Sequence, residues 1–260
     1  MASPKARPGS QIALLAEPDL LPMAQLLLAG PARGVLVTQG FSPEQIASLR
    51  AGLVRPPSAR RPLHPLLARS TPVHARLVSD YRSKDTTVAE VGIWAESLGL
   101  PRRFSTALEQ AVDEMLLNAL FAAPRTPTGG PRYAGLTAAE RLLIQAPPEE
   151  QPLVRFAADA RRVVVAVRDR FGALRASTVL SYLLRCADSQ RARKSPLEHK
   201  VSGSGVGLFL TTNAASELLF RLRRGCLTEL VFALYRDRPR PLRALLFDDD
   251  IPPAPSSERF

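Results

Sequence analysis

Apolar and polar positions along this chain change period in a way that predicts alternating strands and helices. Between residues 12 and 54 two short apolar runs, IALL and GVLV, alternate with two stretches of helical spacing, LLPMAQLLLAG and SPEQIASLRAG. Ser42 stands where a helix N-cap belongs and Glu44 falls in the first turn, so this part reads as a small α/β unit. Residues 55–72 hold five prolines among several arginines, a composition that resists helix and strand and predicts a linker. Beyond it, helical spacing runs over about 73–99 and 105–123, followed by a Pro/Gly-rich insertion at 124–152. Two β runs come next, LVRFA and RVVVAVRD, joined at Asp159 and Ala160. A helix over about 175–187, a charged loop, a helix over about 206–217 and a hairpin (LLFRLRRG, CLTELVFALY) complete a domain over 73–240. Residues 1–11 and 241–260, polar, charged or Pro-rich, are expected to be tails.

The IALLAEPD segment resembles the first strand and acidic corner of receiver domains, but Thr38 and Gln39 stand where that family has its phosphoacceptor acid, so no phosphorylation is expected there. Composition narrows the classes further. Hydrophobic residues make up 45% and charged residues 23% of 260, which describes a globular chain. The two cysteines, Cys186 and Cys226, lie too far apart for a CxxC pair, which argues against a disulfide scaffold or a structural zinc site. No apolar run reaches the about 18–20 residues of a membrane span, and the N-terminal stretch is broken by acid and proline. A cytoplasmic, unexported protein with no membrane role is expected. The formal net charge of +11 is compatible with nucleic acid or acidic partners, and basic residues concentrate in 50–84 and 221–243. Neither stretch interleaves aromatics in the manner of a nucleic-acid reader, so nucleic acid ranks last among the partners.

Three segments carry candidate chemistry. In the helix over 105–123, Thr106 and Glu109 have capping-box spacing, and Leu108, Ala111, Val112, Met115 and Ala119 form an apolar stripe. Glu114 and Asn118, one turn apart, share a face beside that stripe and suit a hard-oxygen pair for Mg²⁺ or a solvated helix edge. In RVVVAVRD, Asp169 shares a strand face with Val163, Val165 and Val167, so its carboxylate points into an apolar layer and needs donors, of which an adenine amino group is one. An ordinary turn aspartate has the same signature. In VSGSGVGLFL, Gly203, Gly205 and Gly207 precede a helix whose N-terminus suits phosphate. No strand comes directly before them, which excludes a Rossmann dinucleotide site.

In this order AVDEMLLNAL, VVVAVRDRFGAL, GSGVGLFL and the pair Gly225 and Thr228 resemble the N box, two glycine boxes and final Gly-Thr element of the GHKL (Bergerat-fold) ATPase and kinase superfamily, over about residues 79–235. That resemblance implies a two-layer α/β sandwich of mixed sheet and helices that binds ATP and Mg²⁺. It implies that Glu114 is the catalytic base or assists the metal, that Asn118 ligates Mg²⁺, and that Asp169 binds adenine with Thr228 supporting it. Gly172, Gly203, Gly205, Gly207 and Leu208 would contact the nucleotide, and 188–202 would be a lid. Phe171 and Ala173 occupy positions where the family has glycine, and Phe121 and Ala122 appear where many relatives carry a cation. Lys194 or Lys200 could replace it.

His64, His74 and His199 lack the context of a phosphoacceptor histidine, and no long transducer region follows, which leaves the anti-sigma-factor type as the closest resemblance. That type implies bacterial signalling through a protein partner (a sigma factor, an antagonist or another signalling protein) and transfer of phosphate to Ser or Thr. The alternative is a nucleotide-gated interaction module without turnover. Homodimer formation is open on either reading.

Overall fold

The computed structural model describes residues 11–29, 32–54, 63–68, 70–191, 214–237 and 240–249. It is an α/β structure built on one open, mixed sheet of eight strands. The strands are β1 (Gln11–Leu15), β2 (Ala32–Val37), β3 (His74–Leu77), β4 (Leu153–Ala158), β5 (Arg162–Asp169), β6 (Glu217–Arg223), β7 (Leu227–Tyr235) and β8 (Ala244–Asp249). Across the sheet they run β1-β2-β8-β6-β7-β5-β4-β3. The β1/β2 and β6/β8 pairs are parallel and the other neighbours antiparallel.

Strand alternation sorts the side chains onto two faces. On the first, Val163, Val165 and Val167 of β5 join Phe220, Phe232 and Phe247 in a core with the helices α1 (Leu20–Ala29), α3 (Tyr81–Ser97), α4 (Arg102–Leu117) and α6 (Ala176–Arg191). On the second, Val164 and Ala166 join Leu219, Val231 and Leu246 under α2 (Pro43–Val54) and residues 63–68. Buried from both sides, β5 reads in sequence as an unbroken valine-rich run, as interior strands do. The short α5 (Ala138–Arg141) lies within the 124–152 insertion.

Several expectations change. Residues 244–249, expected in a C-terminal tail, form β8 in the sheet interior, hydrogen-bonded to β2 and β6. The run ALLF is too short to announce a strand by itself, and two waiting strand edges supply what it lacks. Residues 12–54 place β1 and β2 in the same sheet as the rest of the chain. Within 55–72, Leu63, His64 and Leu67 are buried on the second face, so this part of the segment is packed and not a free linker. Residues 74–77 are a strand and not the start of a helix, and Glu217 opens β6 where a helix end was expected. The helix carrying Glu114 starts at Arg102 after Pro101, so Thr106 is interior and caps nothing. Glu109 instead lies over Gly92 of α3, where a Cβ would stand 1.8 Å from its carboxylate oxygen. Ser42 does cap α2, accepting from the Gln45 amide at 3.3 Å.

The second face also holds buried charge. Glu217 Oε1 accepts from Arg162 Nε at 2.9 Å, and its Oε2 lies 3.1 Å from His64 Nε2. His64 Nδ1 accepts from the Leu66 amide at 3.2 Å, which sets the ring with Nε2 on the glutamate side. Glu229 is held between Arg155 and Arg221, and Arg221 also donates to the Leu63 carbonyl at 3.1 Å. Part of the basic 221–243 stretch is thus consumed inside the fold, where Arg223 also pairs with Asp248, while Arg240 pairs with Asp237 at the surface.

Two outcomes are expected. A chain ended at residue 240 lacks β8, opens the sheet between β2 and β6, and loses its cooperative thermal transition; a melt equal to that of the full chain would contradict the interior placement. Glu217 is buried, and although burial raises its pKa, His64 and Arg162 outweigh this and hold it down to about 2 from 4.5. Its stabilisation is complete above the unfolded value and is lost as pH falls from 4.5 towards about 2. Denaturant midpoints measured across that window should fall in the wild type and flatten in Glu217→Gln.

Candidate functional site

A cavity of about 390 Å³ opens on the first face, between α4, the start of α6 and the ends of β5 and β7. Met115, Ala119, Val167, Leu174, Phe220 and Leu230 give it an apolar wall. Glu114, Asn118, Arg125, Asp169, Arg175, Thr178, Tyr182 and Thr228 supply its polar groups. A small number of polar groups in an apolar hollow of this size is the usual make-up of a small-molecule site.

Asp169 ends β5 directly opposite Thr228 of β7. It is 5% exposed, and its Oδ1 accepts from the backbone N–H of Phe171 at 2.8 Å and Gly172 at 3.2 Å. Burial pushes its pKa up, against the pull of those two amides. The Thr228 hydroxyl, 8% exposed, lies close enough to favour the carboxylate but falls short of hydrogen-bond geometry, so Oγ1 is a buried polar atom with no partner. Such an atom is costly unless a ligand or water completes it.

Gly172 makes the turn that delivers these amides. Its φ of +56° lies in the left-handed region, and a Cβ would stand 1.9 Å from the Arg223 carbonyl oxygen. Its own carbonyl accepts from the Gly225 amide at 3.2 Å, so the turn after β5 is sewn to the turn between β6 and β7. Of the motif's three positions 171–173, the middle one is therefore the residue that must be glycine. Ala173 lines the cavity and Phe171 lies under the Arg132 guanidinium.

Glu114 and Asn118 face the same cavity from the last turn of α4. Burial first, then the neighbouring Asp113 carboxylate, raises the Glu114 pKa, with Lys84 opposing. Lys84 of α3 is 2% exposed and paired with Asp113 and, at 2.8 Å, Asp85. Burial pulls its pKa down, but the two aspartates outweigh it and keep it charged. At Asn118 the helix widens into a π turn, Asn118–Ala122, with the Ala123 amide bonded to the Asn118 carbonyl at 2.8 Å. Single π turns of this kind concentrate at functional sites.

The sequence-expected residues Glu114, Asn118, Asp169 and Thr228 thus meet in one cavity, and Gly172 supports its floor. Gly203, Gly205, Gly207 and Leu208, with Lys194, His199 and Lys200, lie outside the described residues. Among the described residues no group of three or more His, Cys, Asp or Glu is placed to hold a metal, and no helix is long and apolar enough to cross a membrane. Sequence reasoning missed Lys84, Arg125 and Arg175. Lys84 was detectable, since it shares the buried face of α3 with Thr87, Val91 and Ala95. The two arginines carried no periodic signal.

No family model matches the chain, and no curated protein matches it at a significant level.

Gly172→Ala combines positive-φ strain with a backbone clash and should cost about 3 kcal/mol of stability. Denaturant unfolding checks this; a change within about 0.5 kcal/mol would mean that the turn relaxes without cost.

Proposed function

We propose that this cavity binds Mg-ATP and that the protein is a signalling ATPase or kinase of the GHKL class, closest to the anti-sigma-factor type. The observation that carries this reading is the meeting of Glu114, Asn118, Asp169 and Thr228 around one hollow whose floor pairs a buried carboxylate with an unpartnered hydroxyl. Asp169 suits the adenine amino group as acceptor, and Thr228 Oγ1 has both a donor and an acceptor to offer a ring nitrogen or a bridging water. Guanine would present a carbonyl to the carboxylate and is disfavoured. The antiparallel β4, β5, β7 and β6, with α4 and α6 on one face, support assignment to the Bergerat fold, to which β1, β2 and β8 would be additions.

The donor set also fits the metal. Mg²⁺ is commonly bound by one or two protein oxygens plus phosphates and waters, and Asn118 with Glu114 would hold it. When bound it supplies neutralisation of phosphate charge. Glu114, its pKa raised by burial, takes the proton of a partner's Ser or Thr hydroxyl as that oxygen bonds to the terminal phosphorus and ADP leaves. A protein partner in a bacterial cytoplasm, whether a sigma factor, an antagonist or another signalling protein, belongs to the same proposal. A second reading, nucleotide-gated binding without turnover, is favoured by Ala173, a side chain on the cavity wall where the related motif has glycine.

In a thermal-shift comparison, ATP and ADP with magnesium should raise the melting temperature and GTP should not. Asp169→Asn should abolish the shift; a retained shift removes Asp169 from base recognition. Glu114→Gln should keep ATP binding and lower phosphate release or transfer at least about a hundredfold. Wild-type binding without any turnover would favour the second reading.

A further inference from the structure

Arg125 lines the cavity from the insertion at 124–152, half-buried, yet among the described residues its side chain makes no hydrogen bond or ion pair. It shares the hollow with Glu114 and Asp169 and pairs with neither. Arginines elsewhere in the fold at comparable burial find partners, as Arg155, Arg223 and Arg240 do. An unpaired, half-buried guanidinium at the wall of such a hollow can meet an anion there.

The loop bearing Arg125 is built to hold it. Arg125 forms an antiparallel bridge with Pro131, the Thr126 amide donates to the Gly130 carbonyl at 2.8 Å, and the Arg132 amide donates to the Pro124 carbonyl at 2.9 Å. The Arg132 side chain donates to the Arg125 carbonyl through Nε at 3.3 Å and Nη2 at 3.1 Å. Arg132 is itself fixed by Glu150, whose Oε1 accepts from Nη2 at 2.9 Å. The Arg125 backbone is fastened in this way, while its side chain has no partner among the described residues. Arg175, immediately before α6, lines the same cavity from an exposed position, and its side chain makes no hydrogen bond or ion pair among the described residues.

We infer that Arg125, with Arg175, binds the phosphate tail of the nucleotide, and that the Arg132 and Glu150 pair in the 124–152 insertion positions Arg125. The inference rests on the nucleotide reading above and adds to it a phosphate-contacting group drawn from the insertion. Arg125 is a binding residue, and Glu150 a positioning residue.

The test is calorimetric titration of the full chain with adenosine, ADP, ATP and inorganic tripolyphosphate, in wild type and in R125M, R125K, R175M and E150Q. R125M should weaken ATP and ADP at least about tenfold and abolish tripolyphosphate binding, with adenosine affinity within about twofold of wild type. R125K should recover part of the ATP affinity, and E150Q should weaken ATP while sparing adenosine. ATP affinity unchanged in R125M, or equal losses for ATP and adenosine, would overturn the anion role and leave the nucleotide reading standing. Wild type that binds adenosine and ATP equally would do the same. Wild type that binds neither refutes the nucleotide reading and this inference with it. If R125M does not fold, R125Q and R175M carry the same comparison.

Discussion

A carboxylate withdrawn from water at the end of a central strand sets the terms for everything around it. Asp169 is buried, and burial alone would drive it to the neutral form. Two backbone amides from the turn at 171–172 oppose that cost, and they reach it because Gly172 takes a left-handed conformation where a Cβ would meet the Arg223 carbonyl. The same glycine leaves room for the turn between β6 and β7 to approach, which fixes β7 against β5 and sets Thr228 beside the carboxylate. The cavity lies over this arrangement. What it contains chemically, an acceptor and an unsatisfied hydroxyl under an apolar wall, follows from how the strand end is supported.

The opposite face of the sheet solves a related problem by different means. Burying Glu217, Glu229 and four arginines would be prohibitive one by one, because an isolated charge in the interior loses its hydration without compensation. Each is placed against an opposite charge or a carbonyl, and the residues that enclose them come from far away in the chain. Leu63 and His64 arrive from the proline-rich segment, and Asp248 arrives with β8. Pairing leaves the net charge of +11 unchanged, because each paired arginine uses an acid, but it turns Arg221 and Arg223 of the basic 221–243 stretch inward and away from any partner.

The insertion and the end of α4 form one functional unit in this picture. The π turn at Asn118–Ala122 lets the chain leave the helix while still facing the cavity, and the loop that follows returns to it at Arg125. A segment whose composition suggests only irregular structure is held by an arginine that binds a carbonyl on one side and a carboxylate on the other. Its order comes from these side-chain bonds together with backbone bonds such as Thr126 to Gly130 and Ala146 to Ser79, and its regular structure is limited to α5 and a 3₁₀ turn at Pro148–Glu150.

Local periodicity was enough to determine the strands at 153–158 and 162–169, the hairpin of β6 and β7, the helix carrying Glu114 and Asn118, and the inward direction of Asp169. Each of these depends on which side of a helix or strand a residue occupies, and that is written in spacings of two to four positions. Only tertiary structure decided that 244–249 is an interior strand, that 63–68 packs on the sheet, that Glu109 of α4 lies over Gly92, and that Arg125 lines the cavity. In each of these cases the deciding partner is remote: a strand edge awaiting hydrogen bonds, a buried glutamate, a glycine on a neighbouring helix, a loop fastened by Glu150. Such partners leave no periodic trace in the segment they organise, because the free energy that orders it comes from contacts across the fold and not from its own residues.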